Sequence, residues 1–100
     1  MPKISFNVPH GLSAADALAR MHDFLPKIKE HYKDQVKDME ESFDGQTLNF
    51  SFKTMGFVFK GAITAADQKV TVDMELPFAA LMIKGRIEQE ITAGLARLLR

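Results

Sequence analysis

The chain has no cysteine and no tryptophan, its charges cancel, and no apolar run is long enough to cross a membrane. Each absence removes a class of function. Without cysteine there is neither a disulfide framework nor a thiolate metal site, and the composition fits a reducing compartment. Thirteen basic side chains stand against thirteen acidic ones, so the basic surplus that binds phosphate backbones is missing and no nucleic-acid partner is expected. A membrane span needs roughly 18 apolar residues in a row, and nothing here approaches that. The start of the chain, Met1-Pro2-Lys3-Ile4-Ser5-Phe6, alternates where a signal peptide would present an apolar block. A soluble, cytoplasmic protein is expected.

Signatures of catalysis are also missing. His10, His22 and His31 share no ligand spacing, since helical ligands usually sit four residues apart. There is no nucleophile elbow, phosphate-binding glycine loop or metalloprotease helix. Asp73 and Glu75 project from one face of a strand, but with no nucleophile or metal ligand beside them they read as a solvated sheet face. The expectation is a protein that is not an enzyme, with no catalytic residue, no metal site and no cofactor.

What is present is a clear alternation of patterns. At 100 residues the chain suits one domain, residues 1–100, with a single core. Ile4, Phe6 and Val8 alternate with Lys3, Ser5 and Asn7, the period of a half-buried strand. Pro9-His10-Gly11 ends it. Ser13 is placed to cap a helix whose apolar stripe is Ala14, Leu18, Met21, Leu25, Ile28 and Tyr32. Pro26 interrupts that helix, because it cannot donate to the carbonyl of His22, and two helical pieces meeting near Leu25 are expected. From Gln35 to Phe43 the apolar positions Val36, Met39 and Phe43 fit neither period. The segment reads as a charged edge strand before the Asp44-Gly45 turn. Three further strands follow, carrying Leu48, Phe50 and Phe52; then Phe57, Phe59, Gly61 and Ile63; then Val70, Val72, Met74 and Leu76. Pro77 ends this meander. Pro77 can sit at the first turn of an amphipathic helix that then buries Ile83, Ile87, Ile91, Leu95, Leu98 and Leu99, and Gly85 within it suggests close packing, a kink, or a helix that settles only beyond that point.

The order is β-α-β-β-β-β-α. It predicts an α+β fold: a five-stranded, mostly antiparallel sheet in the order 1-5-4-3-2, with two helices on its apolar face. By topology this resembles a reduced helix-grip arrangement. Phe57 and Phe59, with Phe50 and Phe52 beside them, faintly echo the base-stacking strand of RNA-recognition motifs. The second helix between the third and fourth strands is missing, and these rings read as core. His10, in the strand-to-helix turn beside Gly11, reads as a turn-capping hydrogen-bond partner. Phe78, Leu81 and Met82 lie partly off the buried stripe of the last helix, with Lys84 and Arg86 beside them. They are the candidate interaction surface.

These residues also carry a family likeness. His10-Gly11-Leu12 after the first strand, the alanines 14, 15, 17 and 19, and Leu48-Asn49-Phe50 all contribute. The sharpest part is Val72-Asp73-Met74-Glu75-Leu76 leading to Ile83-Lys84-Gly85-Arg86-Ile87-Glu88. In these features the sequence resembles the polyhydroxyalkanoic acid system family, small bacterial proteins associated with polyhydroxyalkanoate storage granules. Pro26 departs from the uninterrupted first helix of that family. The resemblance implies a non-catalytic accessory protein whose partner is the granule surface or a granule-associated protein, located in the cytoplasm and at granules; the apolar surplus of Phe78, Leu81 and Met82 would also be accounted for by a homodimer interface. The alternative is a carrier for a small hydrophobic ligand, an acyl chain or hydroxyacid, in a cavity lined by Phe50, Phe59, Met74, Ile87 and Ile91.

Overall fold

The computed structural model describes residues 2–100. The elements run β1 Lys3–Pro9, α1 Ala14–Met21, α2 Phe24–His31, β2 Val36–Asp44, β3 Thr47–Thr54, β4 Phe57–Ala66, β5 Lys69–Glu75, a 3-10 helix Phe78–Ile83, and α3 Lys84–Leu98. The strands make one antiparallel sheet in the expected order β1-β5-β4-β3-β2. It is an α+β fold with the helices on one face.

Pro26 divides the first helical region. α1 stops at Met21 and α2 restarts at Phe24, a little ahead of the Leu25 boundary expected from the sequence. That offset puts Pro26 in the first turn of α2, where no backbone N–H is needed and the missing donor costs nothing. In the gap, the His22 ring stacks on Phe43 of β2, with centroids 3.9 Å apart and 21° between planes.

The mixed pattern of β2 also has a local cause. Lys37 pairs with Lys53 but Glu40 pairs with Ser51, so β2 carries one extra residue there, and Asp38 sits at φ 54°. This is a β-bulge. It converts the three-residue step from Val36 to Met39 into a same-face step, after which Phe43 follows in ordinary alternation. The bulge and its charged neighbours also blunt an exposed sheet edge.

The core lies between the sheet and the helices. Leu48, Phe50, Phe59, Ile63, Val70, Val72 and Met74 face Ala17, Met21, Phe24, Leu25, Ile91, Leu95 and Leu99, all buried. The opposite face of the sheet carries exposed Asn49, Lys53, Lys60 and Asp73. Phe57 and Phe59 therefore belong to the covered side, Phe57 half-buried against the core. Gly61 is required by this packing. A Cβ there would stand 2.6 Å from Cζ of Phe50 and 3.0 Å from Cγ of Met74, so the Phe50 ring occupies the side chain's space.

One end of the sheet is closed by hydrogen bonds. The Leu12 N–H donates to Nδ1 of His10 at 2.9 Å, the turn cap expected of this histidine. The His10 N–H donates to the Gln68 carbonyl at 2.8 Å, and the Gln68 N–H returns to the Leu12 carbonyl at 3.0 Å. The α1 N-terminus is capped twice: Ser13 Oγ accepts from Asp16 N–H at 3.2 Å, and Asp67 Oδ1 accepts from Ala14 N–H at 2.8 Å. Two of the orphan donors of the helix start are thus satisfied, one from a distant turn.

Candidate functional site

The other end of the sheet is finished differently. Leu76 is fully buried, and its N–H donates to the Pro2 carbonyl at 2.9 Å. Pro77 is extended (φ −61°, ψ 149°), and the chain winds into the 3-10 helix before α3 begins. The α-helical start expected directly after Pro77 is replaced by this tighter turn. With three residues per turn, positions three apart eclipse. Ala80 is buried with Ile83 half-buried below it, while Phe78 and Met82 are thrown outward at 74% and 95% exposure. Leu81 is half-buried; Lys84 and Arg86 are exposed.

Two further apolar groups join them. Met55 is 67% exposed in the β3–β4 turn, and Val58 is 47% exposed at the start of β4. The ladder pairs Lys60 with Glu75, so the chain on either side of this point, residues 55–58 and 76–78, reaches the same end of the sheet. All large hydrophobics exposed among the described residues, Met55, Val58, Phe78 and Met82, come from these segments or from the 3-10 helix that follows. Met55 sits at φ 52°, a left-handed conformation that bulky residues seldom adopt and that Asn or Gly fills more easily. The turn gives no local reason for methionine.

Beside this end, a groove of about 1500 Å³ opens between α2, α3 and the neighbouring corner of the sheet. Phe24, Ile28, Phe52, Ile87 and Ile91 supply its apolar floor and walls. Arg86, Glu90 and Arg97 lie along the α3 side, and Tyr32 faces them from the end of α2, its hydroxyl donating to Glu90 Oε2. That hydrogen bond, then burial and the repulsion of Glu90, raise the Tyr32 pKa above 10.0, while the charges of Arg97 and Arg86 pull it down. At Gly94 the Phe24 ring of α2 packs close to α3: a Cβ there would stand in ordinary contact with Cε1 of Phe24, at 3.8 Å.

Of the residues expected to line a cavity, Ile87 and Ile91 border this groove, whereas Phe50, Phe59 and Met74 are packed into the core. Of the expected surface, Phe78, Met82 and Lys84 stand together at the apolar end, and Arg86 turns toward the groove. Sequence reasoning passed over Met55, Val58, Gly94 and Arg97 as functional residues, and it gave Tyr32 only a place in the apolar stripe of the first helical region. Met55 carried a signal, a bulky residue beside glycine in a tight hairpin turn. The groove residues carried none, because they depend on how far apart the two helices settle. Among the described residues, no cluster of three His, Asp or Glu side chains is placed to hold a metal, and no helix is long and apolar enough to cross a membrane.

The model of a family described as "Putative polyhydroxyalkanoic acid system protein" matches residues 4–99. The chain belongs to this family. No curated protein matches it. The match takes in all the strands and helices from residue 4 on, so the apolar end and the groove both lie within the region that the family shares.

Proposed function

We propose that the protein is a non-catalytic accessory factor of the polyhydroxyalkanoate storage system that docks its apolar end on the granule surface. The observation that carries this reading is the gathering of Met55, Val58, Phe78 and Met82 at one end, with Lys84 exposed beside them. A polyester granule is an apolar particle in water. Withdrawing a Phe or Met side chain from water is worth about 1.5–3 kcal/mol. Two or three such groups support weak, reversible docking, not permanent anchoring. The fold itself gains nothing from exposing them.

The test is fractionation of cells that accumulate polymer. Wild-type protein should sediment with granules, and the Phe78→Ser/Met82→Ser double variant should remain in the supernatant. Wild-type protein that stays in the supernatant beside abundant granules would sink the reading. A wild-type dimer that the same double variant dissociates, with no granule binding by either, would replace it with self-association through this end.

A further inference from the structure

The two edges of the sheet are finished unequally. β2 closes one edge with the bulge at Asp38 and with Lys37, Glu40, Glu41 and Asp44 along it, the devices that keep an edge from pairing with another chain. β1, at the other edge, has none of them. It runs in unbroken register with β5 from Lys3 to Pro9, and Lys3 is its only charged residue. That charge is drawn inward, since Lys3 Nζ lies 3.8 Å from Glu75 Oε1 on β5. The Thr71 hydroxyl of β5 likewise donates to Asn7 Oδ1 at 2.9 Å. Both long polar side chains of β1 are turned toward the sheet and away from its free edge.

The backbone at that edge is open. The His10 N–H donates to the Gln68 carbonyl and the Leu76 N–H to the Pro2 carbonyl, which fixes the even-numbered residues of β1 as those bonded to β5 in an antiparallel ladder. Lys3, Ser5 and Asn7 therefore present their N–H and C=O groups outward, and all three are exposed. Their side chains lie on the uncovered face of the sheet. On the covered face, Ile4 and Phe6 are only half-buried, although α3 packs on β1. The helix layer leaves apolar surface open along this edge.

We propose that β1 pairs antiparallel with β1 of a second copy of this chain, about a two-fold axis at Ser5, joining the two sheets into one. In this register Lys3 faces Asn7 of the partner subunit, Ser5 faces its own copy, and Ile4 meets Phe6 of the partner subunit. Every outward N–H of both strands finds a carbonyl, Pro9 stays out of the ladder, and no like charges meet. The same operation on β2 would bring Asp38, Glu40, Glu41 and Asp44 against their own copies. An axis normal to the sheet keeps the helices of both copies on one face and sends the two apolar ends in opposite directions.

Sedimentation velocity of the full chain, from about 1 μM to about 1 mM, reads the assembly directly. A short edge contact falls at the small end of interface sizes, so a dimer dissociating at about 1–100 μM is expected. As it forms, the Ser5 and Asn7 amides should gain protection from hydrogen exchange, whereas the Phe6 amide, bonded to β5, should be slow throughout. Ser5→Pro removes an outward donor and no bond to β5, and should weaken dimerisation by about tenfold or more. If Ser5→Pro fails to fold, Ser5→Lys and Ser5→Glu decide. Each sets like charges face to face at the axis and should weaken its own dimer by about threefold or more, and mixing the two variants should restore it. A chain that stays monomeric up to about 1 mM would overturn the proposal and leave the edge to a strand of another protein. A dimer unchanged by Ser5→Pro, or by Ser5→Lys and Ser5→Glu, would also overturn it. So would a dimer that Phe78→Ser/Met82→Ser dissociates, because its contact would lie at the apolar end. Edge pairing and granule docking are read with different variants, so the two fail separately.

Discussion

Where the β1–α1 and β4–β5 turns meet, His10, Leu12, Ala14, Asp67 and Gln68 are tied together by hydrogen bonds. At the far end of the same sheet, Met55, Phe78 and Met82 leave carbon in water. Both ends face the same problem of turning the chain back into the fold. One solves it with polar residues that serve the fold. The other uses apolar residues that folding does not account for. The contrast separates residues that hold the structure from those available for a partner. His10 Nε2 is the exception at the polar end: a buried nitrogen without a partner, carrying the proton because Nδ1 accepts from Leu12.

The comparison can be broken first at the apolar end. Leu76→Ala removes a fully buried side chain and should cost about 2–5 kcal/mol of stability by urea denaturation. The exposed changes Phe78→Ser and Met82→Ser, close by in sequence, should stay within about 0.5 kcal/mol. A large loss from the exposed pair would mean that these side chains serve the fold after all. Midway between the ends, Gly61→Ala drives a Cβ into the Phe50 ring and should cost about 1–3 kcal/mol. An unchanged unfolding midpoint would show that Phe50 moves aside freely. At the polar end, Asp67→Ala removes the cap from Ala14 N–H and should cost about 0.5–2 kcal/mol, without altering behaviour at apolar surfaces.

The smallest effect concerns the polar link on the groove side. Tyr32 donates to Glu90, and its pKa is raised above 10.0 chiefly by that bond. A raised folded-state pKa contributes stability that is fully present below the unfolded value and is lost as pH rises through the folded one. The link therefore acts at neutral pH and fades on the alkaline side of 10.0. As the only tyrosine, its ionisation can be followed by ultraviolet absorbance. The midpoint should lie above 10.0 in the wild type and fall toward that value in Glu90→Gln. A midpoint unmoved by the substitution would show that the bond is not made in solution.

Much of this architecture is legible in the residues. Alternation in β1, β3, β4 and β5, with turns at Gly45, Gly56 and Asp67, dictates the meander from β2 to β5, and reading the first helical region as the crossover between β1 and β2 places β1 beside β5. Pro26 announces the divided helix. What escapes is whatever depends on a single inserted or retimed residue. The bulge near Asp38 hides the period of β2, and the 3-10 turn after Pro77 rotates Phe78 and Met82 outward where an α-helical start was expected. Phe78, Leu81 and Met82 stand out because they sit off the core stripe. Met55 and Val58 do not, since only the sheet register brings them to the same end. The groove lies further from reach, because the way α2 packs on α3, with Phe24 against Gly94, is a tertiary outcome.

The most direct test of the central claim uses purified protein and protein-free polyhydroxyalkanoate particles in a co-sedimentation assay. The account expects wild-type protein in the pellet and Phe78→Ser/Met82→Ser in the supernatant, with the two melting at the same temperature. Wild-type protein left in the supernatant, or a double variant that pellets as fully as wild type, would contradict it.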